Sequence, residues 1–247
     1  MRAQISAALN EPGTPLADVE LLAPVDPDTE VWAAGVTYER SLDARVLESS
    51  QGDVYSRVYD ADRPELFFKA IGWRVVADGE PIAVRGDSTL TVPEPELALV
   101  VNSAAQIVGY AVANDVTSRS IEGANPLYLP QAKMYDSSCA LSTAITPSWE
   151  VESPVFDISC EIRRGTSVIW SASTSTARMH RALEDLVSAL YAEITFPAGA
   201  FLLTGAGIVP DLDVTLEAGD VVTIDIDGLG SLTNPVRRRA ELSAIRG

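Results

Sequence analysis

The sequence predicts a mixed, β-dominated α+β protein with few helices, its strands rolled into a barrel-like mixed sheet. Three observations carry that expectation. Short runs alternate apolar and polar residues between turn-forming Gly, Pro, Asn and Asp, the pattern of half-buried strands. One stretch has a clear helical period, with Met179, Leu183, Leu186, Leu190 and Tyr191 recurring along 178–194. The strand signals are too irregularly spaced for an even sandwich, which favours a rolled sheet.

The elements follow in order. Residues 1–30 are Pro- and Asp-containing and read as a short, strand-poor leader. "EVWAAGVTYERS" (30–41) reads as a buried strand and a turn, and 41–60 as mixed and helical in part. "RPELFFKAIG" (63–72) is compact and apolar around one Glu and one Lys. "ELALVVN" and "QIVGYAVAND" form a hairpin around "SAA", and "FDISCEIRRGTSVIWSAST" a second one turning at "RGT". "FPAG" stops the helix of 178–194. Two more strands surround "DGLG", and "PVRRRAELSAIRG" reads as a solvated C-terminus. Trp32, Tyr38 and Trp73 are assigned to packing. The expected division is a smaller N-terminal region, 1–62, and a larger β-roll, 63–247.

Composition bounds the function. The 247 residues are 47% hydrophobic and 21% charged, ordinary for a soluble globular protein. No apolar run is long enough to span a bilayer, and "MRAQISAALNEPGTP" holds no signal-peptide core, so a cytoplasmic location is expected. A net charge of −17 argues against a nucleic-acid partner and against docking on anionic membranes. Cys139 and Cys160 fit no metal spacing or disulfide framework and read as small buried residues. The single histidine, His180, sits beside an apolar stripe and reads as a surface or structural residue. Lysine is scarce: two, Lys69 and Lys133, against sixteen arginines. A compact ammonium whose pKa shifts on burial suits a catalytic group, while compositional bias is the plainer explanation.

"TVPEPELALV" (91–100) puts Glu94 and Glu96 two apart at the start of a strand, so both point the same way. Counting back from the hairpin tip brings Asp115 alongside them. Three converging carboxylates repel unless a cation neutralises them, and an all-oxygen set suits a hard divalent ion such as Mg²⁺. A solvated carboxylate pair on a strand edge is the other reading.

"GVTYERS", "PELFFKA", "VPEPELALVV", "VGYAVANDVTSRS", "LPQAKMYDSS", "LLTGAGIVP" and "GDVVTIDIDGLGSLTNPV" occur in the order expected of the fumarylacetoacetate hydrolase family. The chain resembles that family from about residue 30 to 239, and "RPELFFKA", "PEPEL" and "NPLYLPQAKMY" most resemble its 2-dehydro-3-deoxy-D-arabinonate (2-keto-3-deoxy-pentonate) dehydratases. The resemblance implies a mixed β-roll assembled as a homodimer or homotetramer. It implies Mg²⁺, with Mn²⁺ or Ca²⁺ as alternatives, held by Glu94, Glu96 and Asp115. Lys133 matches the active-site lysine near the metal, and Lys69 a second lysine lining the site. Thr204, in "LLTGAG", matches a threonine facing the substrate carboxylate. Glu65 is the expected acid/base. Arg119 matches a family arginine that binds or orients substrate, or pairs with an acid. Gln131 binds a hydroxyl or satisfies the backbone.

The implied reaction is loss of water from a 2-keto-3-deoxy sugar acid, 2-dehydro-3-deoxy-pentonate to 2,5-dioxopentanoate, through a metal-stabilised enolate. A Schiff base on lysine is the other route for such substrates, and the acid triad makes it less attractive. Hydrolases of this family carry a His after the "G-x-x-Y" turn, where this sequence has Ser41. That departure counts against C–C hydrolysis. A hydrolase, isomerase or decarboxylase acting on an acylpyruvate, fumarylacetoacetate-like or oxaloacetate-like acid is the alternative activity. A metal-binding fold kept for regulation is the non-enzyme alternative.

Overall fold

The computed structural model describes residues 2–8, 10–41 and 52–242. Helix α1 (Arg2–Ala8) is exposed along its length. The strands are β1 (Glu30–Gly35), β2 (Glu65–Ile71), β3 (Ile82–Val84), β4 (Thr91–Val92), β5 (Pro95–Val101), β6 (Ile107–Asp115), β7 (Thr117–Ser118), β8 (Cys139–Leu141), β9 (Thr146–Pro147), β10 (Asp157–Arg164), β11 (Ser167–Ser175), β12 (Ala200–Leu203), β13 (Asp220–Ile226) and β14 (Gly230–Arg238). The first sheet has seven strands, β2-β1-β12-β5-β6-β8 with β9 also on β6. The second has five, β11-β10-β13-β14-β3, and β4 and β7 form a pair of their own.

The apolar run of β5 is buried on both faces. Leu97 and Leu99 face a core shared with the second sheet, through Ile158, Cys160, Ile162 and Ile224. Ala98 faces the opposite way with Ala111, Ala113, Phe201 and Leu203. A strand covered on both sides reads as continuous hydrophobicity, not alternation. β10 has one wet face and alternates Ile158, Cys160, Ile162 inward. Helix α5 (Leu183–Tyr191) closes the shared core with Leu186, Val187 and Leu190. This is the mixed roll that the sequence predicts. Both cysteines are free and buried, as expected.

The β5–β6 hairpin fixes the site. Its register pairs Leu97 with Val112 and Pro95 with Asn114. The Asp115 amide donates to the Glu94 carbonyl at 2.9 Å, so the two acids lie opposite each other as the hairpin count expects.

Several expectations need correction. The division at 62/63 crosses the first sheet, because β1 is an inner strand between β2 and β12. The helix expected from 178 begins at Leu183. Met179 instead bridges Tyr38, and the His180 amide donates to the Thr37 carbonyl at 2.8 Å; tertiary pairing outweighs the local helical period. His180 is exposed and stacks on Tyr59, 4.3 Å away, at the end of α2 (Gly52–Tyr59). The helical part expected in 41–60 is α2; residues 42–51 lie outside the described ones. Trp73 is not a packing residue: it is 54% exposed with the Arg74 guanidinium over its ring. The segment expected to be a solvated C-terminus is not solvated throughout its described part: Pro235–Arg238 ends β14 and Leu242 is buried beside Ala83 and Tyr135.

Candidate metal centre and active site

Pro93 and Pro95 hold Glu94 in extended chain at the start of β5, and the pleat brings Glu96 to the same side. Glu94, Glu96 and Asp115 are 5%, 1% and 1% exposed, and one oxygen from each lies within 4.8 Å of the others. Helices α3 (Arg119–Ala124) and α4 (Leu129–Lys133) cover them. Lys133 ends α4, and its ammonium donates to Glu94 Oε2 and to Asp115 Oδ2, each at 2.8 Å. It stands 4.0 Å from Glu122 Oε1 and 5.3 Å from the centre of the Phe67 ring.

Lys69 reaches the cluster from β2 at a bulge. Val31 pairs with Ala70 and Trp32 with Phe68, so Lys69 is the extra residue between them. A bulge re-aims a side chain without ending the strand. The Lys69 ammonium lies 2.5 Å from Asp115 Oδ1 and donates to the carbonyls of Val116 (2.9 Å) and Lys133 (2.7 Å). It ties Asp115 to the end of α4.

Glu96 is held differently: its Oε2 accepts the Gly205 amide at 2.6 Å. Gly205 has φ +95°, and a Cβ there would lie 2.0 Å from Thr37 Oγ1, so glycine is required. Thr37 in turn donates to the Thr204 carbonyl at 2.6 Å, across a turn in which Val36 takes a left-handed φ of 53°. Burial, then the charges of Asp115 and Glu94, push the Glu96 carboxyl well above the usual range, against the pull of Lys133 and the Gly205 amide. Relative to the unfolded chain, the metal-free fold therefore favours the protonated form. Measured against Glu96→Gln, the metal-free protein is expected to lose stability as pH rises from about 4.3 through the raised folded-state pKa, and saturating Mg²⁺ to remove the loss. Thermal melts across pH check this.

The donor set fits a divalent ion. Among the described residues four buried acids, Glu94, Glu96, Asp115 and Glu122, face three cations, Lys69, Lys133 and Arg119, and no cation pairs with Glu96. The Lys133 ammonium is already drawn between two of the triad, so these oxygens attract positive charge. Oxygen-only ligands suit Mg²⁺. The cavity at the cluster is about 10 Å³, space for one ion or one water.

Of the other expected residues, the structure brings Arg119 to the cavity, and Glu65 lies against Gly35, which lines it. Arg119 is 3% exposed and lines the cavity, with Nη2 3.9 Å from Glu94 Oε1 and Nη1 donating to the Pro210 carbonyl. Glu65 pairs with Gly35 and shares a strand face with Phe67; Gly35 and Phe67 both line the cavity. Ser41, standing where a histidine was sought, also borders the cavity, its hydroxyl donating to the Tyr38 carbonyl.

The structure places the three other substrate-binding candidates away from the cavity lining. The Lys69 ammonium is enclosed by two carbonyls and a carboxylate and faces no open space. The Thr204 hydroxyl donates to the Leu97 carbonyl at 3.0 Å and is fully buried. Gln131 is exposed and does not line the cavity; its carbonyl accepts from Arg85. Glu122 was missed. Its signal lies in "RSIE": Arg119 and Glu122, three apart on α3, share one helix face.

Residues 30–237 match the profile described as fumarylacetoacetate (FAA) hydrolase, C-terminal. The chain is 49% identical over 220 residues to a probable 2-keto-3-deoxyxylonate dehydratase of Haloferax volcanii, covering 89% of this chain and 75% of that protein. It is 41% identical over 231 residues to the 2-dehydro-3-deoxy-D-arabinonate dehydratase of Saccharolobus solfataricus, covering 92% of this chain and 77% of that one. A solved structure of 2-keto-3-deoxy-D-arabinonate dehydratase complexed with magnesium and 2,5-dioxopentanoate superposes with a TM-score of 0.85 at 38% identity, covering 96% of this chain and 88% of that one.

Proposed function

The chain belongs to the fumarylacetoacetate hydrolase family, and from that premise we propose that it is a Mg²⁺-dependent dehydratase converting a 2-keto-3-deoxypentonate to 2,5-dioxopentanoate. The observation that carries the proposal is the buried triad Glu94, Glu96 and Asp115, with Lys133 against it, in a chain so similar to dehydratases of these acids. The triad would hold the ion. Mg²⁺ supplies Lewis-acid polarisation of the 2-keto group, which acidifies the C3 hydrogens.

The protein's own groups do the rest. Arg119 and Lys133 place positive charge where the carboxylate and the developing enolate oxygen need it. Glu65 takes a C3 proton and returns it to the C4 hydroxyl, which leaves as water; one positioned carboxyl serves both steps. The 3,4-unsaturated 2-keto acid then moves a proton from C5 to C3 and tautomerises to the 2,5-dioxo acid. One water is lost, and no external oxidant or reductant is needed.

The test is an assay with 2-keto-3-deoxy-D-arabinonate, acetylpyruvate and oxaloacetate, each with Mg²⁺ and with EDTA. Metal-dependent 2,5-dioxopentanoate, abolished in Glu94→Gln, is expected. Turnover of acetylpyruvate or oxaloacetate alone would overturn the dehydratase assignment. The protein is also assigned to the cytoplasm, in keeping with its two free buried cysteines. It is assigned a homodimeric or homotetrameric state, in keeping with the exposed apolar side chains Leu22 and Trp73 around one surface groove. Light scattering of the purified protein measures the latter.

A further inference from the structure

We propose that Gly35 is the residue that positions Glu65, by leaving the space its carboxylate occupies. The inference rests on the role assigned to Glu65 above. Gly35 and Glu65 are direct partners in the antiparallel β1–β2 ladder, so their side-chain positions project to the same side. A Cβ built on Gly35 would stand 1.9 Å from Glu65 Oε2 and 2.6 Å from its Cδ. The three nearest atoms to that Cβ all belong to Glu65. The contact is with the carboxylate itself, the chemically active end.

Backbone conformation does not call for glycine there. Gly35 is a strand residue and is not among the glycines of positive φ. Glycine within a strand costs stability through chain entropy, so it needs a compensating reason. Glu65 Oε2 is buried and accepts no hydrogen bond, so no donor fixes that oxygen. The carboxylate lies against the Gly35 backbone beside the cavity that Gly35, Phe67, Arg119 and Lys133 line. The slot left by the missing side chain places this carboxylate oxygen beside the cavity. Space, not a hydrogen bond, accommodates Oε2 there.

The tests are Gly35→Ala, Glu65→Ala, Glu65→Gln and the double variant Gly35→Ala/Glu65→Ala. With Mg²⁺ and 2-keto-3-deoxy-D-arabinonate, Gly35→Ala is expected to lower kcat about 100-fold, the cost of a carboxylate misplaced by about 1 Å, with KM little changed. Calorimetric Mg²⁺ affinity should match the wild type, since Gly35 holds no metal ligand. Gly35→Ala should lower Tm in the Glu65 background, and the same substitution should leave Tm equal or higher in the Glu65→Ala background, where the slot is empty. Unchanged kcat in Gly35→Ala, or an equal Tm penalty in both backgrounds, would overturn the proposal. If Gly35→Ala does not fold, the double variant must, and its failure would also overturn it. A Glu65→Gln variant with full activity would overturn the acid/base role and leave the Tm coupling as a separate result.

Discussion

Lys69→Met is expected to destabilise the protein by about 3–5 kcal/mol, the usual cost of removing one partner of a buried ion pair. The ammonium lies 2.5 Å from Asp115 Oδ1, and its side chain is fully buried. Methionine fills the volume and leaves Asp115 Oδ1 without its cation. It also strips a donor from the carbonyls of Val116 and Lys133, which tie β2 to the end of α4. Mg²⁺ in the triad resupplies charge to Asp115 but no donor to those carbonyls, so it restores only part of the loss. Urea titration with and without Mg²⁺ measures both parts. A loss below about 1 kcal/mol, the range of a surface pair, would sink this account.

Lys133→Met is expected to behave differently although it touches the same Asp115. Its ammonium contacts Glu94 Oε2 and Asp115 Oδ2, two acids of the triad. Removing it leaves the metal-free cluster short of a cation, again at about 3–5 kcal/mol. A divalent ion in the triad resupplies that charge. Ligand linkage at a thousandfold excess over Kd adds about 4 kcal/mol, so Mg²⁺ should recover most of the stability. Activity should not follow: loss of one positive group at the developing oxyanion costs about 10²–10³ in kcat. The two lysines are thus separated by one comparison, Tm with and without Mg²⁺ beside kcat. Equal rescue of both variants by Mg²⁺ would refute the distinction.

The metal triad was legible because the two rules behind it are local. Side chains alternate along a strand, which paired Glu94 with Glu96, and a hairpin has one register for a given tip, which brought Asp115 beside them. The scarcity of lysine pointed to both members that meet the triad. The β-rich hairpins were legible for the same reason of short-range pattern, and the cysteines because their burial needs no partner. The helix boundary at 183 was not, because pairing with the segment after β1 decides it.

The sequence by itself determined which residue types meet at the centre: three acids, two lysines and an arginine, on a rolled sheet. Only the tertiary structure decided what each does there. Lys69 is turned by a bulge onto two main-chain carbonyls, Thr204 spends its hydroxyl on Leu97, and Glu122 approaches Lys133 from α3. Gly35 and Glu65 become neighbours only because β1 and β2, thirty residues apart in the chain, pair in one register. The reason is the range of the forces. Strand period and turn chemistry act over a few residues and are written in order along the chain. The direction of a donor, and the space beside a carboxylate, depend on atoms that folding brings from elsewhere.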